Sequence, residues 1–451
     1  MSGIGIPGAR GDGRTLDTRA LQAAIGACAA RGGGTVLVPA GRYLTGSLSL
    51  MSDVTLRLDA GAVLVGSEDP ADYPLVASRW EGVTREVHAP VIGGVGLRNV
   101  SLVGEGTIDG RGAVWWKRHR EKTLSHPRPR LIAFTDCSNL AIRGIRAVDS
   151  PSWTINPVRC ENVTIDGVTI VNPPDSPNTD GINPDSCSRV FISNCFVSVG
   201  DDCIALKSGT ERERPELRAP CRDIAIANCI LERGHGGVVI GSEASGGVHS
   251  VVITNCIFNG TDRGIRLKSR RGRGGLVEDV RASNIVMNGV LCPFTVNTYY
   301  ACGAWGDSAV SDKGARPRDD GTPRFRRIAL SNVSARGAGY AAAFIYGLAE
   351  MPVEEISLSD FSVSMSADAE EGYPEMADGL SPMRRDGLFA RYVRGLSLDR
   401  VWIDGQRGPA FSIEDSWDVD IRSSGTRTPV PGAEPARLVR VGQSARKEAG
   451  S

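Results

Sequence analysis

Acidic, imidazole and cationic side chains recur in four short segments of this chain: Asn178-Thr179-Asp180-Gly181, Gly200-Asp201-Asp202, Gly234-His235-Gly236 and Arg266-Leu267-Lys268. Together they offer three carboxylates, one imidazole and two cations. Adjacent acids are ordinarily a solvated turn, and a basic run ordinarily a solvated face. Here the segments follow one another about one structural repeat apart, which changes their meaning. Like charges held close raise the pKa of one member and leave an acid protonated near neutral pH. Such an acid, ionised partners and a bound water can cleave a glycosidic bond with inversion, the acid and base carboxyls standing roughly 6.5–9.5 Å apart. A guanidinium beside an ammonium suits the carboxylate of an acidic sugar.

The elements that must position these groups come from a repeat. A polar residue followed by Val/Ile-x-Ile/Leu recurs at Asp53, Asn99, Asn139, Asn162, Arg189, Asp223, Ser250 and Asp279, and again at Arg327, Glu355, Gly395 and Asp418. From Asn139 to Asp279 the spacings are 23, 27, 34, 27 and 29 residues. Alternation at period two means strands with one face inward. A repeat this short cannot bury its own face and must stack on its neighbours. The expected fold is all-β, a single-stranded right-handed parallel β-helix. Leucine-rich repeats are disfavoured, because no Leu-x-x-Leu-x-Leu frame appears. Asp17-Thr18 followed by Arg19 to Cys28 predicts a capping helix with Leu21, Ala24, Ile25 and Cys28 inward. The chain then divides into a cap over 1–32, a β-helix over 33–424 and a last partial coil with a mobile tail over 425–451. Long irregular connections are expected at Trp80–Pro90, Arg111–Arg130, Gly303–Arg324 and Ala367–Arg385, where function or oligomer contacts concentrate.

Counted from the repeat anchors, Asp180 lies 18 residues after Asn162, Asp201 lies 12 after Arg189, and His235 lies 12 after Asp223. Arg266 lies 16 after Ser250. Each falls late in its own coil, so stacking should align them at about 4.8 Å per coil. Arg266 and Lys268 alternate with Ile265 and Leu267, which places the basic pair outward.

Composition excludes several functions. The 451 residues carry 52 basic and 52 acidic side chains, so no global field favours nucleic acid or an anionic membrane. No transmembrane segment or signal peptide is visible, which sets a cytoplasmic expectation; export with the leader already removed is the alternative. The eleven cysteines are odd in number and lack CxxC spacing. The pairs Asn194-Cys195, Asn228-Cys229 and Asn255-Cys256 read as a buried thiol stack, not a disulfide framework.

The four segments, in this order, resemble the polygalacturonases of glycoside hydrolase family 28. So do Gly104 to Gly110 and Ser176 to Asp185, and the resemblance runs from Gly8 to Asp420. Leu267 stands where Ile is more usual. The resemblance implies inverting hydrolysis of α-1,4-linked galacturonate in pectin, without cofactor or metal. It implies Asp201 as general acid, Asp180 and Asp202 as the pair that activates water, and His235 as support for the acid. It implies Arg266, Lys268 and Asn178 as substrate contacts, with a substrate tyrosine at Tyr299 or Tyr300. To these are added Trp153, a candidate for stacking on a sugar, and Lys207, which shares strand parity with Asp201. The runs Ser78–Gly82 and Asp201–Gly209 look like bacterial and plant-type members, which favours exo over endo action. A Ca²⁺-dependent pectate lyase, in which the aspartates hold the metal, and a non-catalytic polysaccharide-binding β-helix are the readings of other classes. A pectic polymer or oligogalacturonate is the expected partner, for a monomer or homo-oligomer.

Overall fold

The computed structural model describes residues 3–428 and the strand Ala436–Val439. The chain divides into two compact units, residues 1–239 and 240–451, and the β-helix expected over 33–424 spans both. The tail expected at 425–451 lies mainly outside the described residues. Each unit is a parallel β-helix, with the right-handed crossovers that parallel strands require.

In the first unit one line of strands runs Gly34–Val38, Val54–Leu58, Arg98–Gly104, Ser138–Arg143, Glu161–Asp166, Ser188–Ser193 and Cys221–Ala227. Its register stacks Val36, Leu56, Leu102, Ile142, Ile165, Ile192 and Ile226 directly over one another. All seven are fully buried. In the second unit the strands are longer, as in Val248–Asn259, Leu276–Asn288, Arg324–Ala338 and Val353–Met365.

The polar anchors of the repeat have a conformational reason. Asp53, Asn99, Asn139, Asn162, Arg189 and Asp223 have φ between +53° and +65°, the left-handed region that opens each coil's strand. Asn tolerates that region better than branched residues do. The anchors also bond from coil to coil: Asn99 donates to Asp53 (2.7 Å), Asn139 to Asn99 (2.9 Å) and Asn162 to Asn139 (2.9 Å). Asn194 and Asn228 form a second left-handed ladder, with Cys195 and Cys229 packed beneath it. Ten cysteines are buried free thiols and Cys302 is exposed.

Helix α1 (Thr18–Ala30) buries Leu21, Ala24, Ile25 and Cys28, as the pattern predicts. Asp17 is not its side-chain cap; its carboxylate accepts from the backbone N–H of Arg10 (2.7 Å) and Gly11 (2.9 Å) instead. Two stretches expected to be irregular are partly regular. Leu75–Trp80 and Val83–His88 pair as an antiparallel hairpin, turning on Glu81 (φ +47°) and Gly82 (φ +77°). Two successive left-handed residues make a tight hairpin turn that follows strand twist. Arg79 pins this hairpin, with its guanidinium buried between Asp185 (2.5 Å) and Glu213 (3.1 Å). Helix α2 (Gly112–Arg120) takes up the first half of the second stretch, with Trp115 and Trp116 buried, and residues 121–130 are irregular as expected. No helix among the described residues is long and apolar enough to cross a membrane.

The left-handed ladder predicts its own weak point. Asn162→Val forces a β-branched residue to φ +56° and removes an amide bond on each side. The expected loss is roughly 1–3 kcal/mol in denaturant unfolding. Asn162→Gly, which keeps the conformation, should lose less.

Candidate active site

Three successive coils of the first unit carry the acids and the imidazole. Backbone bonds place them: the Thr154 N–H donates to the Asp180 carbonyl (2.8 Å), the Gly181 N–H to that of Asp202 (3.0 Å), and the His235 N–H to that of Asp201 (3.1 Å). The flanking glycines are needed for this approach. A Cβ on Gly181 would lie 2.4 Å from the Cys203 carbonyl oxygen, and one on Gly234 would lie 2.3 Å from that of Asp201.

One oxygen each of Asp180, Asp201 and Asp202 lie within 4.8 Å of one another. That is closer than the 6.5–9.5 Å expected of an acid and base with water between them, so the expectation is corrected. The three are not equivalent. Asp180 and Asp202 are 3% and 2% exposed, whereas the Asp201 side chain is 21% exposed and meets His235 Nδ1 at 3.4 Å. Asp180 Oδ2 accepts from Asn183 Nδ2 (2.9 Å) and lies 3.7 Å from Lys207 Nζ. Burial, then the Asp201 charge, push the Asp180 carboxyl up to about 8, against the pull of Lys207. The Asp180 carboxyl therefore holds a proton near neutral pH. Three oxygens this close could also close on a divalent cation, but the Lys207 ammonium already supplies positive charge to Asp180.

Other candidates move. Lys207 is 6% exposed and turned to Asp180, so it serves the acid and is not an outward substrate contact. Trp153 is 4% exposed, stacked on Trp80 (centroids 5.2 Å apart) and under Lys207 Nζ (4.8 Å). It has no open face for a sugar and acts as packing for Lys207. Asn178 holds φ +53°, and its Oδ1 accepts from Arg128 Nη2 (2.7 Å). Arg128, missed by the sequence reading, also donates to the carbonyls of Pro151 (2.9 Å) and Pro177 (2.7 Å). Burial presses its guanidinium down to about 10, with Glu81, Asp180 and Asp201 acting against the shift, so it stays charged.

The second unit gathers the cations. Ile265 and Leu267 point into the core, and Arg266 and Lys268 point out, yet both are covered, at 2% and 5% exposed. The cover is the connection 367–385. Its Glu375 takes Arg266 in a two-pronged ion pair, Nε to Oε1 at 2.8 Å and Nη2 to Oε2 at 3.0 Å. Thr295 adds a bond to Oε1 (2.8 Å). Burial would raise Glu375, but Arg266, Arg263 and Lys268 outweigh it and press the acid down to about 2. The guanidinium assigned to a sugar carboxylate thus already holds a protein one. Of the competing tyrosines, Tyr300 lies with the cations, 5.7 Å from Arg266 Cζ and 5.1 Å from Lys268 Nζ. Tyr299 is fully buried against Tyr346 (4.8 Å), with Lys313 over its ring (4.0 Å), and is a core residue.

Residues 28–371 match the family described as Glycosyl hydrolases family 28. A "Probable polygalacturonase" of Vitis vinifera is 34% identical over 374 residues, covering 81% of this chain and 74% of the relative. An endo-polygalacturonase of Pectobacterium carotovorum is 31% identical over 304 residues, covering 63% of this chain and 72% of its own. The crystal structure of a hyperthermoactive exopolygalacturonase from Thermotoga maritima superposes with a TM-score of 0.76 at 27% identity, covering 90% and 92% of the two chains.

Two outcomes follow from the charges. Asp180 binds its proton more tightly folded than unfolded, so its contribution to stability is full below pH 4 and is lost as pH rises towards 8. Asp180→Asn should therefore be more stable than the parent at pH 8, by roughly 1–3 kcal/mol, with the gap closing near pH 4 in thermal unfolding. Glu375→Gln strands a buried guanidinium and should cost about 3–5 kcal/mol. Adding Arg266→Met to Glu375→Gln should restore part of that loss; an additive double variant would deny the pairing.

Proposed function

The chain belongs to glycosyl hydrolase family 28, and on that premise we propose that it hydrolyses α-1,4-galacturonosyl bonds of pectin by inversion, acting from a chain end. The observation that carries this reading is the carboxylate cluster, with two buried members and one open member. A proton donor must reach the leaving oxygen, and Asp201 is the acid exposed to do so. The proton held by Asp180 lies within one carboxylate cluster with Asp201 and can pass to it as a sugar covers the site. Asp201 then protonates the glycosidic oxygen as the C–O bond breaks. Water held by Asp180 and Asp202 attacks the anomeric carbon from the opposite face and yields its proton to that pair. His235 orients Asp201. Asn178 is a substrate contact whose amide is set by Arg128. Lys268 and Tyr300 are assigned to the galacturonate carboxylate and ring, and Arg266 to supporting them through Glu375. Support for end-on action is the likeness to the Thermotoga maritima exopolygalacturonase.

Products released from polygalacturonate, read by chain length and by NMR of the new anomeric centre, test the whole reading. The expected result, unchanged by chelator, is inverted mono- or digalacturonate from the first time point. Asp201→Asn should lower kcat by about 10²–10⁴-fold with far less change in KM. An unsaturated product dependent on Ca²⁺ would make the protein a lyase, retention would require a nucleophile, and a spread of mid-length oligomers would mean endo action.

A further inference from the structure

Two buried arginines fasten one short piece of the Leu75–His88 hairpin. Arg79 reaches from the hairpin into the coils and donates to Asp185 Oδ1 (2.5 Å), Ser186 Oγ (2.8 Å) and Glu213 Oε2 (3.1 Å). Arg130 reaches the other way and donates to Ser78 Oγ (2.6 Å) and to the Arg79 carbonyl (3.2 Å). The turn beyond is tied as well, by the Thr210 N–H to the Gly82 carbonyl (3.0 Å). Apolar contacts would hold a hairpin with less desolvation of charge. Two buried guanidinium groups on neighbouring residues fix a position instead, and the next residue along is Trp80.

What Trp80 touches leads to the acid cluster. Its ring lies on that of Trp153, with centroids 5.2 Å apart and planes 18° from parallel. Lys207 Nζ stands 4.8 Å from the Trp153 ring and 3.7 Å from Asp180 Oδ2. All three side chains, Trp80, Trp153 and Lys207, are buried. The Lys207 backbone is fixed by itself: its N–H donates to the Pro184 carbonyl (2.9 Å), and its carbonyl accepts from the Ser186 N–H (2.8 Å). What remains to be placed is a flexible four-carbon stem, and an indole face attracts the ammonium at its end.

We propose that Trp80 is a positioning residue for the reaction: brought in by the hairpin, it backs Trp153, so that Lys207 is held at Asp180 and governs how readily Asp180 passes its proton to Asp201. The proposal deepens the assigned reaction and rests on it for the destination of that proton. Around Asp180, the Asp201 and Asp202 charges tighten its hold on the proton and Lys207 loosens it. The Arg128 guanidinium and the Cys203 thiol also feel the Asp180 charge. Of these groups it is Lys207 that lies over the Trp153 ring. Loosening Trp153 should therefore make Asp180 keep its proton more tightly.

Carboxyl-carbon NMR of aspartate-labelled protein reads this directly, with the Asp180 signal assigned by its loss in Asp180→Asn. Trp80→Leu should raise the proton affinity of Asp180 about ten-fold, and Trp80→Phe, which keeps a ring, less than about two-fold. Lys207→Met should raise it at least as far as Trp80→Leu, and adding Trp80→Leu to Lys207→Met should change nothing more. An unmoved Asp180 in Trp80→Leu, or an equal further shift in the double variant, would overturn the proposal. Should Trp80→Leu not fold, Lys207→Met decides alone, since an unmoved Asp180 there removes the group through which Trp80 acts. In turnover of polygalacturonate by Trp80→Leu, kcat should fall while its alkaline limb moves to higher pH, with KM changed less than about two-fold. A fall in kcat with the limb in place would mean a structural role only. A parent that hydrolyses no galacturonate would defeat the assigned activity, and the Asp180 titration would still decide whether Trp80 acts on Asp180 through Lys207.

Discussion

Each coil must turn a corner into its inward strand, and at the repeat anchors among the described residues the one that makes the turn sits at positive φ. That constraint governs the rest. A residue fixed in the left-handed region at the same point of each coil leaves the following strand one register, because a slip by one position would exchange buried for exposed side chains. The amide ladder through Asn99, Asn139 and Asn162 joins successive corners. With the corners aligned, groups late in successive coils fall over one another, and acids at Asp180, Asp201 and Asp202 are brought within 4.8 Å despite their mutual repulsion. Rigid stacking thus supplies the close approach that free carboxylates would avoid.

The same constraint explains what could be read from the sequence. The anchors were visible because each is a polar residue ahead of alternating Val, Ile and Leu, and the register observed is the one that alternation dictates. Helix α1 was visible because its apolar residues keep helical spacing. The carboxylates and His235 were visible because they hold similar offsets from the anchors. The Leu75–His88 hairpin is legible as well, since Glu81-Gly82 is a turn pair between alternating residues, although its second strand falls in a stretch expected to be irregular. Helix α2 had no such signal: Arg111, at its start, is left-handed and makes no side-chain cap, and Trp115 and Trp116 do not mark a stripe.

What the sequence could not give is depth beneath the long connections. Parity along a strand says that Lys207, Arg266 and Lys268 leave the core. It does not say that a segment over a hundred residues away will cover Arg266, or that Lys207 will turn to an acid on the neighbouring coil. Tyr299 and Tyr300 are adjacent and opposite in parity, so only the fold decides which one lies with the cations. Trp153 was ambiguous for a related reason: an aromatic at a strand start can face a sugar or another ring, and Trp80 arrives from a hairpin fixed elsewhere by Arg79.

The two units resolve buried charge in opposite ways, and the contrast bears on function. In the second, Arg266 and Glu375 satisfy each other by a two-pronged bond, and Glu375 is held ionised with an acidity near 2. Such a pair resists titration and suits a fixed scaffold. In the first, Asp180 meets the Lys207 ammonium and the Asn183 amide, yet burial lifts it to about 8. The Asp180 carboxyl therefore changes its proton within the ordinary pH range. A catalytic group needs that mobility, and the stability lost at Asp180 above pH 4 is the physical counterpart of it. An Asp180 held as Glu375 is held would have made a firmer fold with no proton to give.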